Sequence, residues 1–277
     1  MSAEVGQFQG PSALGDDLRR FVNLTYMLAA TDFKLRFFGS ALGYVWSLMR
    51  PLLLFGVLYF IFTKVVKIGD QVKFYPVYLL TSIVLWTFFA ETTSAAVTCL
   101  VDRENLLRKI RFPRMVIPLS VTLRSLFNLV LNLLAVFIFI FFSDVEVRAS
   151  WLQLIPLIAI LIVLTTGVAM LLSALYVRFR DIFPIWEVAT QLLFYGSAIL
   201  FPVTEVPGSV QAAFTANPIV AIVTQMRHAM IDPTAPSAAE AIGGGARLLI
   251  PAAIVVGVFL LGAWVFNRET PRIAENL

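Results

Sequence analysis

Glu91 and Arg124 are ionisable groups set inside long apolar runs, where a charge needs a partner or a function. Arg124, Asn128 and Asn132 recur every four residues, so they share one face of a helix. Glu91 and Arg124 each lie about ten residues inside their runs, roughly 15 Å deep, and a Glu91–Arg124 ion pair is geometrically open to them. Two chemistries fit this set, a structural lock and a hydrophilic wall. Further upstream, Lys34 and Arg36 could bind a phosphate head, with Gly39 and Gly43 allowing close backbone approach, Ser40 beside them and Trp46 suited to a bilayer interface. Neutralising acidic lipid heads would require the same two cations. A third group fills Asp102–Pro118, DRENLLRKIRFPRMVIP. Its acids precede its bases, the order that complements a helix dipole, and Asp102 can serve as N-cap. Leu106, Leu107 and Ile110 form an apolar ridge among Arg103, Glu104, Asn105, Arg108, Lys109 and Arg111. The stretch reads as a short amphipathic helix on a membrane surface, turned into a spanning helix at Pro113. A basic loop that only fixes topology would have the same composition.

Other chemistries lack their residues. No GxxxxGK[ST] is present, since Gly243-Gly244-Gly245 runs into Ala246-Arg247, so this chain has no phosphate-cradling loop for ATP. His228 is the one histidine and Cys99 the one cysteine, which leaves no pair at metal-ligand spacing and no disulfide within the chain. The sequence pI of about 9.4 comes from bases in short loops between apolar runs rather than from a basic domain, which argues against nucleic acid.

These groups are positioned by membrane helices. Of 277 residues 59% are hydrophobic and 14% charged, with mean hydropathy +0.86; soluble domains carry about 25% charged residues. A spanning helix needs about 20 mostly apolar residues, and runs of that kind occur at 42–63, 76–100, 114–142, 151–177, 184–202 and 247–267. The expected fold is therefore all-helical and integral to the membrane, one transmembrane domain over 1–277 with no room for a separate soluble domain. Residues 12–38 read as an interfacial amphipathic helix, with Leu14, Leu18, Phe21 and Val22 set among charges. With both termini inside, fourteen Lys and Arg fall on the cytoplasmic side and six outside, the order the positive-inside rule demands, although Lys64, Lys67 and Lys73 run against it. Residues 203–231 hold two apolar pieces too short to cross. They suit either half-helices dipping into the outer leaflet about an Asn217-Pro218 turn or an ordinary loop packed on the span ends.

Several motifs then fall in a definite order: DFKLRFFGSALGYVWSLMRP (Asp32–Pro51), YPVYLLTSIVLWTFF (Tyr75–Phe89), NLLRKIRFPRMVIP (Asn105–Pro118), VRFRD (Val177–Asp181) and Asn217-Pro218 with Arg227 downstream. Over roughly residues 30–230 this resembles the membrane subunits of type-2 ABC exporters, in the branch that exports O-antigens, teichoic acids and other polysaccharides. The resemblance implies six spans with cytoplasmic termini in a bacterial cytoplasmic membrane, and a homodimer carrying two copies of a separate ATPase subunit. ATP and Mg would bind in that partner, leaving no cofactor in this chain. It further implies that 102–112 is a coupling helix docked on the ATPase, that 203–231 forms two re-entrant helices, and that the substrate is a polysaccharide on a polyprenyl diphosphate. An aromatic lining would suit such a glycan, and Trp86 and Tyr195 are the strongest candidates. A type-2 ABC exporter of drugs or lipids is the alternative within the class. Outside it stand a membrane glycosyltransferase, for which Asp102, Glu104 and Asp181 are too scattered, and a passive channel, which would need no ATPase.

Overall fold

In a bilayer every backbone polar group must be satisfied by the protein itself, which leaves helices as the economical solution for this chain. The computed structural model describes residues 18–37, 43–67, 69, 72–109 and 112–276, the side chains at 37, 44, 108, 109 and 270–276 lying outside the description. Its helices are α1 (Leu18–Phe37), α2 (Gly43–Phe60, extended by a wide turn through Val65), α3 (Tyr75–Asp102), α4 (Glu104–Lys109), α5 (Val116–Phe141), α6 (Leu154–Arg178), α7 (Ile182–Tyr195), α8 (Gly208–Thr215), α9 (Pro218–Met226), α10 (Ala238–Ala241) and α11 (Leu249–Asn276). Among the described residues five stretches are long and apolar enough to cross a membrane: Val45–Val65, Tyr75–Asp102, Val116–Phe141, Ala149–Arg178 and Gly245–Glu269. The chain is a multi-pass membrane protein.

Helix α3 is the centre. It is buried on nearly every side, from Tyr75 and Tyr78 at one end to Cys99 and Leu100 at the other. α5 and α6 flank it. One core gathers at the Tyr75 end, with Leu79, Ile83, Val136, Leu161, Val223 and Met226. A second gathers at the Asp102 end, with Phe21, Leu100, Ile117, Met170 and Phe266. Helix α1 is amphipathic as expected: Phe21, Thr25 and Ala29 are buried at i, i+4 and i+8. It lies along α5, where the Phe127 ring meets the edges of Tyr26 and Phe33 at 6.3 and 5.5 Å between centroids. Helix α11 runs along α6 so closely that a Cβ on Gly167 would stand 2.6 Å from the Phe259 Cα, and one on Gly262 would overlap the Gly167 carbonyl oxygen. Small residues at the crossing are what let two membrane helices touch backbone to backbone.

The run expected to span at 184–202 divides in two. Helix α7 stops at Tyr195 after 14 residues, about 21 Å of rise, and Gly196–Phe201 is a turn with Ala198 at φ 53°. Its carbonyls are satisfied by side chains instead of by helix. Asn217 Nδ2 donates to the Gly196 oxygen at 3.2 Å, the Tyr78 hydroxyl to Ala198, and the Tyr75 hydroxyl to Leu200 at 2.8 Å. The segment nevertheless climbs along α3 in the opposite direction. Trp186 Nε1 donates to Thr93 Oγ1 at 3.2 Å, and the Phe194 ring meets Trp86 at 5.7 Å before the tyrosine contacts are reached. From Thr93 to Tyr75 is about 27 Å along α3.

At that same end α8 and α9 form a helical hairpin. The Asn217 side chain caps α9, accepting from the Ile219 amide at 3.0 Å, and Pro218 occupies the first helical position, so the turn lies where the Asn-Pro pair placed it. α9 is buried for most of its length.

Candidate functional site

A cavity of about 290 Å³ opens between α1, α2, α3 and α5. Arg36 enters from the last turn of α1, and Gly43, Trp46, Ser47 and Arg50 come from α2. Thr87, Phe88 and Glu91 are contributed by α3, and Ser125, Asn128 and Asn132 by α5. Two groups that are far apart in the chain, the Lys34–Trp46 segment and the polar stripe on α5, thus meet at one place. Gly43 is buried, whereas Trp46 (63% exposed) stands at the open edge. Lys34 is exposed, and Gly39 and Ser40 lie outside the described residues.

Glu91 is the electrostatic focus. One carboxylate oxygen lies 3.6 Å from Arg50 Nη1 and the other 3.5 Å from Arg36 Nη1. The expected Glu91–Arg124 pair is not among the ion pairs of the described residues, because Glu91 is engaged by α1 and α2 instead. Arg124 lies one turn nearer the Asp102 end than Asn128, within the field of Arg36, Asp32, Arg103 and Glu91, and its buried Nε makes no hydrogen bond among the described residues. On the cavity wall Asn132 Nδ2 donates to the Asn128 carbonyl at 2.8 Å. The Ser125 hydroxyl and Asn128 Oδ1 are buried without a partner among the described residues. Arg50 and Ser125 were missed by sequence reasoning. The available signals were Arg50 one turn after Trp46, and Ser125 one turn before Asn128.

The charged stretch departs from expectation in detail. Asp102 closes α3, accepting from the Thr98 hydroxyl at 2.8 Å, rather than capping a new helix. The chain breaks at Arg103, whose carbonyl accepts from the Leu106 and Leu107 amides, both at 3.0 Å, and α4 begins at Glu104. Arg103 turns inward: Nη1 donates to Ser120 Oγ at 2.9 Å and Nη2 is paired with Asp32 of α1. Leu106 and Leu107 pack on the core at the Asp102 end, so these two residues of the ridge face the spans, Ile110 lies outside the described residues, and Asn105 is exposed. The backbone of Arg108 and Lys109 belongs to α4, their side chains lie outside the description, and Arg111 is outside the described residues. Arg114, at the next turn, has its pKa lowered by burial.

The aromatic candidates separate. Trp86 is only 6% exposed and is packed between Phe89 and Phe194, a core position in the single chain. Tyr195 is 65% exposed. A larger groove of about 540 Å³ between α6, α9 and α11 is lined almost wholly by aliphatic side chains and offers little to recognise charge.

The family model described as ABC-2 type transporter matches residues 23–231. An O-antigen export system permease protein of Klebsiella pneumoniae is 30% identical over 256 residues, covering 92% of this chain and 95% of the relative. A protein of the same description from Myxococcus xanthus is 26% identical over 94% of this chain and 98% of its own length. A polysialic acid transport protein of Escherichia coli is 22% identical over 72% of this chain and 78% of its own. The chain therefore belongs to the ABC-2 type transporter family.

Proposed function

We propose that this chain is the membrane subunit of an ATP-driven exporter that moves a lipid-linked polysaccharide from the cytoplasmic to the outer side of a bacterial inner membrane. The observation that carries it is the cavity in which Arg36, Arg50 and Trp46 meet the polar face of α5, in a chain related over nearly its whole length to O-antigen export permeases. Arg36 and Arg50 offer cations to a diphosphate head group at the membrane surface, and Trp46 anchors the edge.

In this reading α7 and its turn make the sixth crossing, both termini are cytoplasmic, and α8 and α9 re-enter the outer leaflet. Two copies of the chain pair with each other and with two ATPase subunits, which bind ATP and Mg. Helix α4 receives the ATPase through its exposed side, while Arg103 and the Leu106/Leu107 ridge transmit the push to α1, α5 and the inner core.

The test is surface glycan. In cells that export a lipid-linked polymer through this protein, its deletion should leave the polymer inside. Arg36→Ala should lower surface glycan roughly tenfold at unchanged membrane protein level, the size expected for one lost charge-assisted contact. Full export by a normally abundant Arg36→Ala protein would remove the head-group role.

A further inference from the structure

We propose that Glu91 is a built-in stand-in for the substrate's phosphate: its carboxylate occupies the site formed by Arg36 and Arg50 until a multiply charged head group displaces it, and it thereby excludes singly charged lipid heads. The inference rests on the head-group reading above, to which it adds a second cation and a basis for selectivity.

Three observations lead here. First, the two ion pairs are long, 3.5 and 3.6 Å, where well-matched guanidinium–carboxylate bonds run about 2.7–2.9 Å. Glu91 faces both arginines without binding either tightly. Second, the anion stands on a packed helix and the cations at the periphery. Glu91 belongs to the buried central helix, whereas the Arg36 and Arg50 side chains are 38% and 75% exposed on two peripheral helices. Third, the opposite wall has unused polar groups. Ser125 (2% exposed) and Asn128 (6%) line the same cavity, and their Oγ and Oδ1 have no partner among the described residues. Buried polar atoms without partners are rare in a finished core.

The charge arithmetic then discriminates. Two guanidiniums and one carboxylate leave the site with a single positive charge. A phospholipid phosphodiester brings one negative charge and must compete with Glu91 for both arginines. A diphosphate brings more charge and more acceptor oxygens, enough to engage Arg36, Arg50 and the Ser125 hydroxyl together. Glu91 thus acts as a threshold that the abundant monoanionic lipids of the membrane do not pass.

The experiment is calorimetric titration of the purified permease–ATPase complex with inorganic pyrophosphate and, separately, with glycerophosphoglycerol, a phosphodiester with one negative charge. Wild type should bind pyrophosphate in clear preference. Glu91→Gln should bind both ligands about three- to tenfold more tightly and lose most of the preference, since one competing, partly exposed charge is gone. Arg50→Gln should abolish pyrophosphate binding. Glu91→Asp, which keeps the charge but shortens the reach, should shift both affinities in the same direction by less, and it serves if the Gln variant does not assemble. If pyrophosphate binding needs Arg50 but neither Glu91 variant changes affinity or preference, the stand-in is refuted and the head-group site survives. If wild type and Glu91→Gln both fail to bind pyrophosphate, both readings fall.

Discussion

Arg103 shows how far a residue's type reveals its role. The family resemblance put it in a coupling helix docked on a partner subunit. Its side chain in fact points inward, 17% exposed, to Asp32 and Ser120. Asp32 lies 71 residues away, and nothing local announces the pairing. The same holds for Glu91, whose depth was legible while its choice of Arg36 and Arg50 over Arg124 was not. Arg103→Ala should lower the stability of the purified protein by about 1–2 kcal/mol, a partly solvated charged bond, visible as a reduced Tm. Asp32→Asn in the Arg103→Ala background should cost nothing more, because the anion it removes has already lost its partner. Additive losses would mean that the two residues act independently. Export should fall further than stability alone explains, since α4 would lose its attachment to α1 and α5.

At the scale of elements, length and hydropathy located α2, α3, α5 and α6 to within a few residues, and the start of α11, which runs on to Asn276. Long uncharged runs have one stable form in a membrane, so the pattern was sufficient. The end of α7 was hidden for a definable reason. The turn at Gly196–Phe201 is as apolar as a helix would be, and what permits it is carbonyl satisfaction by Tyr75, Tyr78 and Asn217 from other parts of the chain. Tyr78→Phe should therefore leave the Ala198 carbonyl unpaired in the core and lower stability by about 1–3 kcal/mol, with the loss read by thermal unfolding in detergent. The packing of α6 on α11 gives a sharper contrast within one helix. Gly262→Ala places a methyl where the Gly167 carbonyl already is, and overpacking of this kind costs about 1–3 kcal/mol or more. Gly257→Ala, five residues earlier on α11, meets nothing within 4 Å. It should be neutral or slightly stabilising, since alanine is the better helix former. Equal effects at the two positions would show that the close crossing is not what holds α6 and α11 together.

For the whole molecule the deciding property is parity. Five long spans by themselves would leave the two termini on opposite sides of the membrane, with Arg268 of α11 on the side that holds fewer bases. A sixth crossing returns both termini to one side and leaves the count of bases at fourteen against six, and α7 with its turn covers about 27 Å of α3, close to the roughly 30 Å hydrocarbon core. The crossing can be read directly. In a Cys99→Ala background, which removes the one native cysteine, single cysteines placed by Asp181→Cys and Glu205→Cys stand at exposed positions before α7 and after its turn. In intact cells a membrane-impermeant maleimide should label the Glu205→Cys protein at once and the Asp181→Cys protein only after permeabilisation. Asn105→Cys, exposed on α4, should behave like Asp181→Cys and place α4 in the cytosol. Labelling of the 181 and 205 positions from the same side would mean that α7 dips into the bilayer and returns. The C-terminal helix would then run the other way, and α4 could not share a compartment with the end of α11.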